Sequence, residues 1–278
     1  MSAHKSGPAL LQEHVGTLRS RMGTFYPGSH VVFRGHDLHR QLHDLGWVEL
    51  YVFGITGRRF TPGQYRLMQA IWTYTSYPDV RLWNNRVAAL ASNSRSTGTL
   101  GMAAALAVSE ASIYGQGISR RAIEFFLRTR QQLDEGAALV ECIRIELETH
   151  RSIAGYGRPL INGDERNPYM LELASELGLD QGPYLKLALA VEAELLAGRW
   201  RMKMNYGGLA AALGADLGFT PLEYYLFVFP CFLAGMPSGV VEAAERPEGT
   251  LYVTPCSYIE YAGPAARAWP GGGKRKPD

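Results

Sequence analysis

Thr61-Pro62-Gly63-Gln64 and Thr220-Pro221-Leu222-Glu223 are the same local device written twice. In each, the threonine hydroxyl accepts a hydrogen bond from an orphaned N–H of the first helical turn, and the proline presets the backbone. Gln or Glu, three residues on, reaches back to the threonine N–H. Both devices lead into apolar runs, through Tyr65, Leu67, Met68 and Ile71 after the first and through Tyr224–Phe229 after the second. Helical spacing recurs over Ala122–Leu133, Ala137–Glu148, Pro168–Leu177 and Tyr184–Leu196, each punctuated by Gly or Pro. Leu100–Ser112 is Ala-rich and predicts a tightly packed central helix. Only His30–Phe33 and Leu251–Thr254 read as strands, and no phosphate-binding glycine motif follows a strand, so dinucleotide and P-loop folds are excluded. With no internal repeat, the expected class is all-α.

A chain of 278 residues, 46% hydrophobic and 19% charged, can bury a sizeable core. A net charge of +2 supplies no basic surplus for nucleic acid, and the terminal GGGKRKPD reads as a solvated tail. Cys142, Cys231 and Cys256 are odd in number and far apart, which excludes a disulfide framework and predicts a reducing cytoplasm. The opening MSAHKSGPALLQEH lacks the apolar core of a signal peptide. Leu222–Val241 is apolar but contains Glu223, Pro230 and Pro237, and so predicts a broken, buried helix pair rather than a membrane span. The expected partner is a small molecule, with no nucleic acid, membrane or metal.

His36, His39 and His43 share one face of a predicted helix, which reads as a solvated face. No histidine follows His150, so a general base of that type from the C-terminal part is excluded. Ile153-Ala154-Gly155-Tyr156-Gly157-Arg158-Pro159-Leu160 places glycines either side of an aromatic, with Asn162-Gly163-Asp164-Glu165-Arg166 beyond. Such a loop lets backbone approach a flat ligand, or simply turns the chain. Arg199, Arg201 and Lys203 alternate with Trp200, Met202 and Met204, a pattern that suits a phosphate or an exposed helix end.

Taken in order, several of these segments resemble the citrate synthase superfamily, especially its short, citryl-CoA lyase-like members. Phe33-Arg34-Gly35-His36-Asp37-Leu38 is similar to the RGY-type entry motif, and Leu50–Pro62 to the YLLLTGxLPT segment. GYGRPL with the trailing GDER resembles GFGHPLY…DPR, and Lys203–Phe219 resembles the stretch around NVDG. Ala234-Gly235, Glu242, Arg246-Pro247, Pro255 and Tyr261-Ala262-Gly263-Pro264 match the closing PGW…E…RP…P…YxGP. The likeness runs from about residue 30 to 267 in collinear order. It implies a large helical domain (1–116 and 222–278), a small one (117–221), a substrate cleft between them and a homodimer. It also implies CoA bound through Gly155, Tyr156 and Gly157 and through Arg199, Arg201 and Lys203, as a thioester co-substrate with no tightly bound cofactor.

The same alignment exposes departures. The HGG histidine position falls on Gly115, with Gln116 adjacent, and the GFGH histidine position on Arg158. The NVD carboxylate position falls on Gly207, while Asn205 and Gly208 persist. An upstream substrate histidine falls near Tyr77, the arginine before PGW becomes Phe232, and Arg166 is heir to the DPR arginine. General acid–base groups contribute about 10²–10⁴-fold each, so citrate synthesis itself is not expected. Tyr77, Tyr114, Tyr206, Phe232 and Tyr252 make the expected pocket more aromatic, and Gly115 and Gly207 are expected to leave volume for a larger, more neutral ligand.

Two functional readings follow. In the first, a diverged enzyme acts on an acyl-CoA thioester or a carboxylate or carbonyl compound by carbon–carbon bond-forming or lyase-type chemistry, in specialised metabolism. Arg158 and Arg166 would hold the carboxylate or carbonyl oxygen, Tyr206 or Tyr114 would donate a proton, and Gln116 and Asn205 would stand beside the reacting centre. The structural alternative for Arg158 is that it points to solvent or pairs with Asp164 or Glu165. In the second, the cleft is non-catalytic and binds a ligand or partner. A polar constellation around Arg158 favours the first; an apolar or collapsed cleft favours the second.

Overall fold

The computed structural model describes residues 7–16, 19–113, 115–158, 163–251 and 254–267. After α1 (Pro8–His14) the chain forms an antiparallel meander of β1 (Gly23–Tyr26), β2 (His30–Phe33) and β3 (His36–Asp37). Gly23 pairs with Phe33 and Val32 with Asp37. Arg34 then fastens the meander to α3 (Trp47–Thr56), donating from Nε to the Gly54 carbonyl at 2.9 Å and from Nη2 to Ile55 at 3.0 Å.

The histidine trio does not share a helix. Asp37 caps α2 (Leu38–Gln41), its Oδ1 accepting from the His39 and Arg40 N–H groups, so the helix starts after His36 and ends before His43. A side-chain cap fixes where a helix can begin, and here it overrides the spacing of three polar residues. The strand expected at Leu251–Thr254 also fails where it can be seen. Leu251 lies in a turn whose N–H donates to Asn93 Oδ1, Thr254 lies outside any strand, and Tyr252 and Val253 are outside the described residues.

Both capping boxes form. Thr61 opens α4 (Pro62–Thr75), and Thr220 opens α12 (Pro221–Val228), where Glu223 also meets Arg58 at 3.2 Å. The intervening helices are α5 (Trp83–Asn93), α6 (Gly98–Ser109), α7 (Gln116–Asp134), α8 (Leu139–His150), α9 (Asn167–Glu176), α10 (Pro183–Ala197) and α11 (Tyr206–Asp216), and α13 (Met236–Glu245) follows α12. Pro221–Glu245 is long and apolar enough to cross a membrane by composition alone. It is interrupted by a 3-10 turn at Phe229–Phe232, and its two helices pack separately. Tyr224, Phe227 and Val228 of α12 enter the main core, while Met236 of α13 meets Ala88 of α5 and Ala105 of α6.

The main core gathers side chains of α3, α4 and α7 to α12 around the nearly wholly buried α11. Gly214 is the reason α11 fits: a methyl group there would come within 2.6 Å of the Tyr224 ring. The ends of α4, α7, α11 and α12 and the 152–158 loop converge on one depression, and that convergence makes the site.

Candidate active site

The depression is a cavity of about 1010 Å³, at the upper end of ligand-pocket sizes. Its floor is built by the glycine loop and the start of α11. The Asn205 N–H donates to the Gly155 carbonyl at 2.9 Å, the Gly157 N–H to the Lys203 carbonyl at 2.7 Å, and Asn205 Nδ2 to the Gly157 carbonyl at 2.9 Å. Asn205 Oδ1 meanwhile caps α11, accepting from the Gly208 N–H at 3.2 Å. Gly155, at φ +93°, lies so close to Gly208 that a Cβ on it would sit 2.6 Å from the Gly208 Cα. Asn205 is therefore a brace between loop and helix.

Tyr156 is committed to the core, since its hydroxyl donates to the Ala188 carbonyl at 2.8 Å and burial pushes its phenol well above the ordinary value. It touches the cavity with only a small part of its surface. Tyr206 lies in the cavity wall, but its hydroxyl donates to the Ile71 carbonyl at 3.3 Å. Burial pushes its ionisation far upward, so it holds its proton at any working pH.

Asp164 is wholly buried and organises the opposite wall. Its two oxygens accept from Arg166 Nε and Nη2, both at 2.8 Å, and Oδ2 also accepts from the Tyr206 N–H at 2.9 Å. Burial works against ionisation here, but the Arg166 and Tyr206 hydrogen bonds outweigh it and hold the carboxyl below the usual range. The Arg166 guanidinium lies 4.9 Å from the Tyr77 ring centre and 4.5 Å from that of Tyr206. Arg158 donates from Nη1 to Glu165 at 2.5 Å and to the Gly163 carbonyl at 3.1 Å, with Asp164 at 3.9 Å from Nε. Glu165 is held at a pKa of about 2, chiefly by Arg158 and also by its own backbone N–H and the Tyr77 hydroxyl. Tyr77, donating to Glu165 at 2.7 Å, is raised to about 12 by burial and then by that carboxylate.

Arg158, Arg166, Tyr77, Asn205, Tyr206, Gly115, Gly207, Phe232 and the Gly155–Gly157 loop all line the cavity. Gln116 does not. It is buried at the start of α7, and its Nε2 has no hydrogen-bond partner among the described residues. Arg199, Arg201 and Lys203 are exposed and stand off the lining, Arg199 covering the Trp200 ring at 4.9 Å. Tyr114 and Tyr252 are outside the described residues. The expected volume at Gly115 is absent, because a Cβ there would meet the Ser109 carbonyl oxygen at 2.0 Å and the Ala111 nitrogen and oxygen at 2.9 Å. Gly207 is more open: among the described residues a Cβ there would press on Asn205 Oδ1 at 3.2 Å and meet nothing else outside its own helix within 4 Å. Arg121 is a lining residue that the motifs did not single out; its signal is its place one turn after Ile118 on the same face of α7.

No family model and no curated protein sequence matches the chain. Solved structures do match. Citryl-CoA lyase from Hydrogenobacter thermophilus superposes with a TM-score of 0.79 at 19% identity, covering 91% of this chain and 97% of that one. ATP citrate lyase from Methanothrix soehngenii, solved with citrate and coenzyme A, gives 0.72 at 16% identity over 95% of this chain but 45% of its own. Citrate synthase from Thermoplasma acidophilum, solved with carboxymethyl coenzyme A and oxaloacetate, gives 0.62 at 18% identity over 81% of this chain and 58% of its own. These likenesses define the class: the chain has the citrate synthase-like, mostly helical fold.

Proposed function

We propose that the cleft takes an acyl-CoA thioester or a related carboxylate or carbonyl compound. In this reading the protein acts by carbon–carbon bond-forming or lyase-type chemistry other than citrate synthesis. The observation that carries the reading is the braced glycine loop facing an open cavity whose wall holds Arg121, Arg158 and Arg166. Fixed guanidinium groups stabilise an enolate or carboxylate without a proton of their own to shuttle. Among the described lining residues there is no histidine, and the ionisable partners are fixed, with Asp164 and Glu165 ionised and Tyr77 and Tyr206 protonated. That same rigidity favours a second reading, a ligand-binding homologue without turnover. The reading also takes residues 117–221 as the small domain and places a homodimer in the cytoplasm.

Titration calorimetry with coenzyme A and acetyl-CoA tests the binding claim, and saturable heat is expected from at least the thioester. A coupled assay with acetyl-CoA and oxaloacetate is expected to show no citrate formation above buffer. Turnover there would overturn the assignment of Gly115 and Gly207 to the lost acid–base positions. Binding without turnover across a panel of acyl-CoA and 2-oxoacid pairs would select the second reading.

A further inference from the structure

The charges around the cavity do not balance, and the imbalance falls on one residue. Arg158 is matched by Glu165 and Arg166 by Asp164. Arg121, also in the wall, forms no hydrogen bond or ion pair with the described residues. Its Nη2 is shut off from solvent and has no partner. A guanidinium keeps its charge at every working pH. Leaving one of its donors buried and unpaired carries the desolvation penalty of that group with no compensating bond. The cavity lining as a whole is more apolar than polar, with Ile71, Trp83, Ile113, Ile118, Val228 and Phe232 among its residues.

We propose that Arg121 is the specificity-determining contact for a single carboxylate on an otherwise apolar ligand. Nη2 has no surface open to the cavity, so a carboxylate there meets the unmatched charge of Arg121 through its remaining donors, and the apolar wall accepts the rest of the molecule. Arg158 and Arg166, already matched inside the protein, contribute position and dipole rather than an unspent charge. The inference rests on the cleft being the ligand site proposed above, but not on the ligand being a CoA thioester.

The test is titration calorimetry on the full chain with two matched pairs of probes: glutaryl-CoA against pentanoyl-CoA, and 4-phenylbutyrate against 4-phenylbutyramide. In at least one pair the acid is expected to bind about tenfold or more tightly than its neutral partner, the range for a hydrogen bond to a charged group. Arg121→Gln should abolish that preference, and Arg121→Lys should keep part of it. Arg120→Gln, whose side chain faces Glu124 on the outside of the same helix, should leave it intact. Arg121→Gln should also melt no lower than the parent, because it removes an unpaired donor. If Arg121→Gln fails to fold, Arg121→Lys and the parent still decide the matter. No acid preference in either pair, including failure of both acids to bind, overturns the proposal, as does a preference that survives Arg121→Gln. Thioesters that bind without an acid preference, in the absence of any preference in the phenylbutyrate pair, sink the inference and leave the CoA reading standing. Phenylbutyrate binding that depends on Arg121, with no thioester bound, does the reverse.

Discussion

Two glycines stand where the resemblance places catalytic groups, and their surroundings give them opposite meanings. Gly115 is required by packing: Gly115→Ala drives a methyl group against the Ser109 carbonyl and should cost about 1–3 kcal/mol in urea unfolding, the usual cost of overpacking. Gly207→Ala meets a single side-chain oxygen and should stay within about 1 kcal/mol of the parent, since alanine is also the better helix former. A histidine at position 115 would meet the same carbonyl and cost more than alanine does. Among the ionisable residues, Glu165 owes its low pKa of about 2 first to Arg158. A carboxyl with a depressed folded pKa contributes stability above its ordinary value of 4.5, and that contribution is lost as pH falls toward 2. Arg158→Ala should return Glu165 toward 4.5, read from its side-chain carboxyl in an NMR titration; a midpoint unmoved from about 2 would show that Tyr77 and the backbone suffice.

The helices with apolar 3.6-residue spacing, α4, α7 to α10 and α12, were legible in the sequence, and so were both capping boxes, whereas α3 and the uniformly apolar α11 were not read as helices from their residues. Nor was α5, because its buried positions include Asn84, Asn85, Ser92 and Asn93 and so carry no apolar period. Ser92 and Asn93 serve the backbone of distant segments, Asn85 holds the turn just ahead of the helix, and Asn84 donates to Ser109 Oγ. Asn85 Nδ2 donates to the Tyr77 and Asp79 carbonyls, and Asn93 Nδ2 donates to Ala243 and Pro247. The Ser92 and Asn93 bonds join segments that only the tertiary fold brings together. Asn205 works in the same way at the site, capping α11 while holding the Gly157 carbonyl. Asn205→Ala should lower unfolding stability by about 1–3 kcal/mol, combining a lost cap with an unsatisfied carbonyl. It should also weaken binding of whichever probe the parent binds. A variant as stable as the parent would mean the loop holds without its brace.

At the scale of the whole molecule, order and spacing of weak motifs were enough to indicate the fold, because each motif marks a turn or helix end that the architecture needs. The site was only half legible: the motifs led to Arg158, Arg166 and the glycine loop, and a pairing of Arg158 with Asp164 or Glu165 was open from the sequence, but the unmatched Arg121 depends on contacts that sequence spacing does not encode. Apolar side chains remain exposed on the outside of the bundle, among them Leu100 of α6, Leu222 of α12 and Val241 of α13. Covering them against a second copy accords with the proposed homodimer, and sedimentation at micromolar concentration should give twice the mass of the 30.7 kDa chain. A monomer would remove that part of the reading. Asp164 carries a consequence of its own for behaviour in acid. One buried carboxylate anchors Arg166 and receives the first N–H of α11, so a single proton would loosen the cation and the helix start together. Below the ordinary carboxylate range, the affinity of the cleft and the order of the α11 start should fall along the same one-proton curve. Recognition and local structure would fail in one step, as a vault does when its keystone is drawn.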